Sequence, residues 1–129
     1  HRNPFNHMTV AYRKSRVVAA GGYPLIHLRE DYGLWAIMLA HGARATNLEE
    51  PLVQASAGPD LYRRRGGLHS ALAEIPLQQL LFRLGHKSLA LAIIDGAMRS
   101  IIFMMPSSLR GLIYRRFLRS PQPHNEKAA

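Results

Sequence analysis

A chain of 129 residues is long enough for one domain of ordinary size. Its composition, 47% hydrophobic and 19% charged, is that of a globular protein and excludes a disordered one. Because the chain has no cysteine, a disulfide framework and a thiolate metal site are both excluded, and a reducing compartment is permitted. The first residues lack the apolar run of a signal peptide, so we expect a fragment that begins within a longer protein.

Positive charge is concentrated in the second half of the chain. Residues 1–59 carry six Lys or Arg against four Asp or Glu, whereas residues 60–129 carry eleven against four, so a net +7 of the total +9 lies after residue 59. A basic excess suits nucleic acid, anionic lipid or a phosphorylated ligand. Since long apolar helices accompany it here, a lipid surface is favoured.

The first 59 residues are predicted to mix strands with helices. β-Favouring residues indicate strands at 9–12, 43–48 and 52–56. The sequence Ala57-Gly58-Pro59 is the clearest boundary in the chain. We therefore expect an α/β unit at residues 1–59.

Two helices are predicted within this unit. Ser15 is expected to begin a helix that runs to Ala20, where Gly21-Gly22 supplies a left-handed stop. A second helix begins at about Glu30 and ends at Gly42. Its residues Leu34, Trp35 and Met38, at helical spacing, are predicted to be core rather than a platform for a sugar ring.

The rest of the chain is predicted to be a helical extension, residues 60–119, followed by a flexible tail, 120–129. One helix covers 60–84, where Pro76 kinks or splits it and Gly85 ends it. Later helices span Ser88 to Met105 and, capped by Ser107 or Ser108, the residues up to Arg119.

Two adjacent acidic residues, Glu30 and Asp31, come directly before the apolar run Leu34–Leu39. Acidic residues in a first helical turn are stabilised by the positive end of the helix dipole. The pair is expected where a loop meets a buried helix, at the edge of a cleft, and a carboxylate there can act as a general base. The alternative is that both are helix-start charges with no further role.

Short sequence segments before and after the acidic pair favour a general base over helix-start charges. In chain order these segments are Asn3-Pro4-Phe5-Asn6-His7-Met8-Thr9-Val10, Tyr12-Arg13-Lys14-Ser15, Ala20-Gly21-Gly22-Tyr23, Glu30-Asp31-Tyr32-Gly33-Leu34-Trp35, Asn47-Leu48, Pro51-Leu52-Val53 and Tyr62-Arg63-Arg64-Arg65-Gly66-Gly67. In this order the chain resembles, over roughly residues 3 to 119, the C-terminal half of family 2 inverting glycosyltransferases of the GT-A fold. Enzymes of this type serve bacterial exopolysaccharide and O-antigen assembly. Two positions depart from the family pattern, which usually has a second Asp at Gly33 and an Arg near Ser56.

The resemblance implies roles for the acidic pair. Asp31 would be the catalytic base that takes a proton from the acceptor hydroxyl as it attacks the anomeric carbon from the face opposite the nucleotide. Glu30 would orient the acceptor or act on Asp31 by like-charge repulsion.

Three further residues are candidates for substrate binding. His7 could face the donor diphosphate, by hydrogen bonding or beside a divalent metal, or it could be a loop histidine packed on the sheet. Arg64 and Arg65 match the family's Arg-Arg-Gly-Gly and could contact the diphosphate of the donor or of a lipid-linked acceptor. The alternative for this charge run is a solvated face.

The resemblance places the nucleotide on a doubly wound sheet in the N-terminal half of such enzymes, together with an Asp-x-Asp metal motif. No Asp-x-Asp occurs in this sequence, and no histidine pair has zinc-ligand spacing. We therefore expect a divalent cation, Mg²⁺ or Mn²⁺, whose ligands lie mostly outside this chain, and an isolated chain that is inactive.

The helix at Ser88 to Met105 is apolar, but Asp95 and Arg99 interrupt it and could pair on one helical face. Two charges inside a bilayer are costly, so an interfacial amphipathic helix is favoured over a spanning one, and a helical bundle is the alternative. The expected location is cytoplasmic, peripheral on the inner face of the membrane. The rival to a transferase is a small basic helical module that binds nucleic acid or a protein partner.

Overall fold

The structure of the chain, a computed structural model, describes residues 3–54, 66–106 and 109. A 3₁₀ turn at His7–Thr9 comes before five α-helices. We label the helices in chain order: α1 (Lys14–Ala19), α2 (Glu30–Ala40), α3 (Leu68–Leu72), α4 (Glu74–Arg83) and α5 (Leu89–Met104). Residues 55–65, and therefore the boundary expected at 57–59, lie outside the described residues. The last predicted helix and the tail also lie outside them, apart from Leu109.

Glycine ends the helices where the sequence predicted. After α1 the chain passes through Gly21 and Gly22 at φ +84° and +79°, and after α2 through Gly42 at φ +77°. These are left-handed conformations that a residue with a Cβ rarely adopts, so each glycine stops its helix. The expected cap at Ser15 is wrong, because α1 begins one residue earlier and Arg13 is its N-cap.

The helix predicted up to residue 84 is split at Ala73 rather than at Pro76. Ala73 ends α3 and begins α4, and Pro76 is the third residue of α4. The N–H groups of a first helical turn have no partner within the helix, so a proline there costs no hydrogen bond. The predicted kink or split at Pro76 is therefore wrong, because the break lies three residues earlier, at Ala73.

The core lies between α2 and α4 and is closed by α5. Its central cluster consists of Ile26, Tyr32, Ala36, Leu77 and Leu81. Helix α4 packs on both α2 and α5, and α3 packs on α5. Ser88 caps α5 by accepting the Leu91 amide hydrogen at 3.4 Å. Helix α4 thus connects α2, which begins with Glu30 and Asp31, to α3 and α5.

The three expected strands do not form within residues 3–54. Thr9 belongs to the 3₁₀ turn, residues 10–13 carry no regular structure, and residues 43–54 form neither helix nor strand. A strand needs a neighbour with which to exchange backbone hydrogen bonds, and no described segment pairs with these residues. The described residues are mostly helical, and the α/β GT-A fold stays a prediction.

Candidate functional site

Asp31 is the second residue of α2 and is half-buried. Its Oδ2 accepts a hydrogen bond from Asn3 Nδ2 at 3.2 Å, and its Oδ1 accepts from the Tyr32 backbone N–H at 2.7 Å. No Lys or Arg among the described residues makes an ion pair with it. The carboxylate is therefore oriented by neutral donors, and no cation among the described residues pairs with it.

Glu30 lies beside it as the first residue of α2 and is exposed. Both acids occupy the first helical turn, where the dipole favours negative charge. This position also fits the alternative of simple helix-start charges. The two acids differ in that Asp31 is held by a residue 28 positions earlier in the chain.

Two tyrosine hydroxyls lie close to this acidic pair. The Tyr12 and Tyr23 hydroxyl oxygens are 3.2 Å apart and share a hydrogen bond. That hydrogen bond, together with burial and repulsion from Asp31 and Glu30, raises the pKa of Tyr23 to about 12. A raised pKa is the direction expected when the Tyr23 hydroxyl donates this hydrogen bond to the Tyr12 oxygen, which leaves the Tyr12 proton available to a ligand.

His7 joins the same group of side chains through Tyr23. Its ring lies 6.1 Å from the Tyr23 ring, at an angle of 64° between the planes. The imidazole is otherwise exposed. His7 thus packs against an aromatic residue of the site and not against a sheet.

The site region is bordered by an aromatic cluster around Trp35. Phe5 meets the Trp35 ring edge-on at 6.2 Å, and Tyr12 lies at 5.6 Å. Trp35 is only 3% exposed and Leu34 is fully buried, so both are core as predicted, while Met38 is half-buried. The buried Trp35 Nε1 has no hydrogen-bond partner among the described residues. A cavity of about 1040 Å³ separates these aromatics from residues 43–53.

A second acidic residue with defined partners, Glu74 at the beginning of α4, was not predicted from the sequence. Glu74 is fully buried, and its Oε1 accepts from Arg29 Nε at 2.7 Å. Its Oε2 accepts from Gln78 Nε2 at 3.2 Å and lies 3.8 Å from Arg99 NH1. A buried carboxylate is tolerated only when cations and donors surround it, as here.

The hydrogen bonds continue from Glu74 to α5. Gln78 Oε1 accepts from the buried Lys87 Nζ at 3.0 Å, and Lys87 also bonds Asp95 at 2.5 Å. The hydrogen bond from Lys87 holds the pKa of Asp95 below its ordinary value. The sequence suggested that Asp95 and Arg99 could pair. In the structure Asp95 forms an ion pair with Lys87, and Arg99 lies near Glu74.

The structure brings some of the predicted site residues together, and their roles stay predictions. Asp31, Glu30 and His7 fall in one region, and the structure adds Asn3 and Tyr23 to it. Both of the added residues stand in the blocks that carried the family resemblance, which was the available signal. The other two predicted binding residues, Arg64 and Arg65, lie outside the described residues.

Within residues 3–54, 66–106 and 109, no group of three or more His, Asp or Glu side chains could hold a metal ion. In the same part of the chain, no helix is both long and apolar enough to cross a membrane.

Three curated proteins match this chain over nearly its whole length. It is 36% identical over 118 residues, 92% of the chain, to the UDP-Gal:α-D-GlcNAc-diphosphoundecaprenol β-1,3-galactosyltransferase of Escherichia coli. It is 43% identical over 118 residues to a protein of Haemophilus influenzae named as a glycosyltransferase. It is 30% identical over 115 residues to the amylovoran biosynthesis glycosyltransferase of Erwinia amylovora.

All three relatives are named glycosyltransferases, so this chain is related to enzymes that transfer sugars. The chain spans 43% of the length of each relative. No family model matches the chain, and no solved structure matches it.

Proposed function

We propose that this chain carries the general base of an inverting glycosyltransferase and that the base is Asp31. The observation that carries the proposal is the setting of this carboxylate: half-buried, oriented by Asn3 and the Tyr32 amide, and without an ion-pair partner among the described residues. A carboxylate that is held in place but not neutralised is suited to accept a proton. The three related glycosyltransferases supply the class of reaction.

In the proposed reaction a hydroxyl of a glycan or lipid-linked acceptor lies within hydrogen-bond reach of Asp31. As its oxygen attacks the anomeric carbon of the donor sugar, its proton passes to the Asp31 carboxylate. The new glycosidic bond forms while the bond from the anomeric carbon to the nucleoside diphosphate breaks, and the leaving group takes that electron pair. Attack from the face opposite the leaving group inverts the configuration.

The neighbours of Asp31 would position the acceptor. Glu30 is exposed beside the base and offers an acceptor for a second sugar hydroxyl. The Tyr12 hydroxyl, which accepts from Tyr23 and keeps its own proton, offers a donor to the same ligand, and His7 beside Tyr23 could meet a phosphate oxygen. Arg64 and Arg65 keep their proposed role at a diphosphate from the family resemblance alone.

The donor is proposed to be a nucleotide-diphospho-sugar, with Mg²⁺ or Mn²⁺ at its diphosphate. The described residues do not fit such a metal site, because they bring no three His, Asp or Glu side chains together. No step above therefore passes through a metal. The E. coli relative is named for a donor UDP-Gal and a diphosphoundecaprenol-linked acceptor, which supports a lipid-linked acceptor here.

The test of this function is Asp31→Asn in the complete protein that carries this chain. Asparagine keeps the shape and can accept one of the two hydrogen bonds that Asp31 accepts, but it is a much poorer proton acceptor, so sugar transfer should fall about 10²–10⁴-fold. Thermal unfolding and donor binding should be unchanged. The matched control is Glu49→Gln, which removes an exposed acid outside the site and should leave transfer intact. Transfer by Asp31→Asn at the wild-type rate would reduce Asp31 to a helix-start charge.

We further propose that α5 rests on the inner face of an anionic membrane, where a lipid-linked acceptor would be met. One face of α5 is apolar and exposed in the part of the chain that the structure describes, with side chains 46% to 62% exposed at Leu89, Leu91, Ile93, Ile94, Met98, Ile101 and Met104. An apolar helical face beside basic residues is typical of interfacial helices. The sequence places four arginines, at 110, 115, 116 and 119, after this helix, worth about 1 kcal/mol each near an anionic surface.

Vesicle binding of the complete protein tests this location. We expect binding to vesicles that contain anionic lipid, weakened by salt, and little binding to zwitterionic vesicles. Replacing Ile93 and Met98 by Ser should reduce binding without unfolding, since both side chains are exposed. If the protein does not bind vesicles, the membrane proposal fails and the apolar face of α5 would be assigned to a protein contact. Binding to random DNA in place of vesicles would favour the rival basic module.

A further inference from the structure

The Arg29 side chain ties the beginning of α2 to α4 and α5. Arg29 is the N-cap residue of α2, directly before Glu30 and Asp31, and its carbonyl accepts the Gly33 amide hydrogen at 2.9 Å. Its side chain does not cap the helix. It turns instead towards α4 and α5, where it makes the contacts described next.

Three contacts fix the Arg29 guanidinium. Its Nε donates to the fully buried Glu74 at 2.7 Å, and its NH1 donates to the Leu28 carbonyl at 2.9 Å. Its central carbon lies 4.9 Å from the centre of the Phe103 ring on α5, in cation–π range. The guanidinium therefore has defined partners from α4, from α5 and from the loop before α2.

The backbone that it holds is strained. Leu28, whose carbonyl accepts from Arg29, has φ +60°, and it is the only non-glycine residue with a positive φ in the part of the chain that the structure describes. A non-glycine residue in this conformation costs roughly 1 kcal/mol and persists only where its surroundings impose it. The imposed conformation directs the chain into the first turn of α2, three residues before Asp31.

We propose that Arg29 and Glu74 are positioning residues for Asp31: their buried ion pair fixes the first turn of α2, and with it the carboxylate, against α4 and α5. This inference rests on the proposed function of Asp31. Neither residue is required to touch substrate. A base displaced by about 1 Å can lose about 10²-fold in rate, so such an anchor would act on turnover more than on binding.

The test uses Glu74→Gln in the complete protein, with kcat and KM measured for sugar transfer at a temperature where every variant is folded. Glutamine can still accept the hydrogen bond from Arg29 but removes the charge that fixes the guanidinium. We expect kcat to fall roughly 10-fold to 100-fold, with KM changed less than about twofold. Arg29→Gln should have the same effect, and the double variant should lose no more than either single one.

The matched control is Asp95→Asn. Asp95 belongs to the same buried hydrogen-bond network, through Lys87 and Gln78, but does not contact Arg29. It should lower stability without the specific loss in kcat. Equal loss of kcat in Glu74→Gln and Asp95→Asn, in proportion to lost stability, would overturn the positioning role.

Hydrogen exchange gives a readout that does not depend on activity. Glu74→Gln should speed exchange of the Tyr32 and Gly33 amides in the first turn of α2, whereas Asp95→Asn should not. If the wild-type protein transfers no sugar, the proposed function fails while the exchange result still decides whether Glu74 fixes this turn. Unchanged exchange in Glu74→Gln would overturn the inference even if the proposed function holds.

Discussion

Asp31 and Glu74 are both carboxylates near the beginning of a helix, yet their surroundings are opposite. Glu74 is fully buried, paired with Arg29 at 2.7 Å and within 3.8 Å of Arg99. Asp31 is half-buried, and its hydrogen-bond partners among the described residues are the Asn3 amide and a backbone N–H. The first turn of α4 thus contains an acid paired with arginine, and the first turn of α2 an acid held by neutral donors.

The difference separates a structural role from a chemical one. Neutralisation by arginines makes a carboxylate a poor proton acceptor but allows its burial. Neutral donors orient a carboxylate and leave it able to take a proton. The two acids lie in one connected arrangement, because Arg29, the partner of Glu74, immediately precedes the acidic pair. Each prediction below tests one side of this contrast.

The largest expected effect is on stability. Glu74→Ala leaves Arg29 and Arg99 without their buried partner, and breaking a buried pair in this way costs about 3–5 kcal/mol of the free energy of unfolding. Asp31→Ala should cost less, about 1–2 kcal/mol, since it removes two hydrogen bonds from neutral donors and a helix-start charge. Denaturant unfolding of the complete protein measures both. Equal losses for the two variants would remove the contrast on which the assignment of roles depends.

A smaller effect is expected where α2 is held by shape and not by charge. A Cβ on Gly33 would lie 2.6 Å from Pro24 Cγ, on a ring tied to the backbone. Gly33→Ala should therefore cost about 1–3 kcal/mol. The control is Gly96→Ala in α5, whose Cβ would meet the Gln78 side chain at 3.2 Å. That neighbour can shift, and alanine favours helix, so Gly96→Ala should be nearly neutral. Chemical denaturation of both variants measures the two changes in the free energy of unfolding.

Pro24 leaves no room for a side chain at position 33. The sequence does not show this restriction, because only the structure brings the proline ring against Gly33. A larger residue there would need Pro24 to move.

Local signals predicted the helices well. The stops at Gly21, Gly42 and Gly85 depend on a left-handed conformation that belongs to one residue and can be read from it. Position within a helix was harder: Pro76 is a breaker in a helix interior but is tolerated in a first turn, and the sequence does not fix where that turn begins.

Distant contacts could not be read from the sequence at all. Asn3 and Asp31 are 28 positions apart, and Arg29 and Glu74 are 45 apart. Arg29 meets Glu74 because α2 packs on α4, and Asn3 meets Asp31 because the segment before α1 returns to the beginning of α2. No local pattern encodes either contact. The expected strands at 9–12, 43–48 and 52–56 share this limit, because pairing depends on a neighbouring segment as well as on residue type.

The smallest expected effect concerns the tyrosine pair beside Asp31. The hydrogen bond between the Tyr23 hydroxyl and the Tyr12 oxygen is the main cause that raises the pKa of Tyr23 to about 12, followed by burial and by repulsion from Tyr12, Asp31 and Glu30. Tyr12→Phe should therefore lower the pKa of Tyr23 towards its ordinary value of 10.0, without reaching it. Glu30→Gln should lower it much less, because Glu30 is the last of these causes.

The sign of the accompanying stability change follows from the direction of the shift. A pKa raised in the folded state contributes stability that is complete below pH 10 and is lost as the pH rises from 10 towards 12. Tyr12→Phe should flatten this dependence. The measurement is an NMR titration of labelled tyrosine rings, with Tyr23→Phe to assign the signal. If Tyr12→Phe leaves the pKa of Tyr23 near 12 and Glu30→Gln lowers it, repulsion from the acidic pair, and not the hydrogen bond with Tyr12, would be the main cause of the raised pKa. Asp31 would then act on its neighbours chiefly through its charge, which is the property that distinguishes it from Glu74.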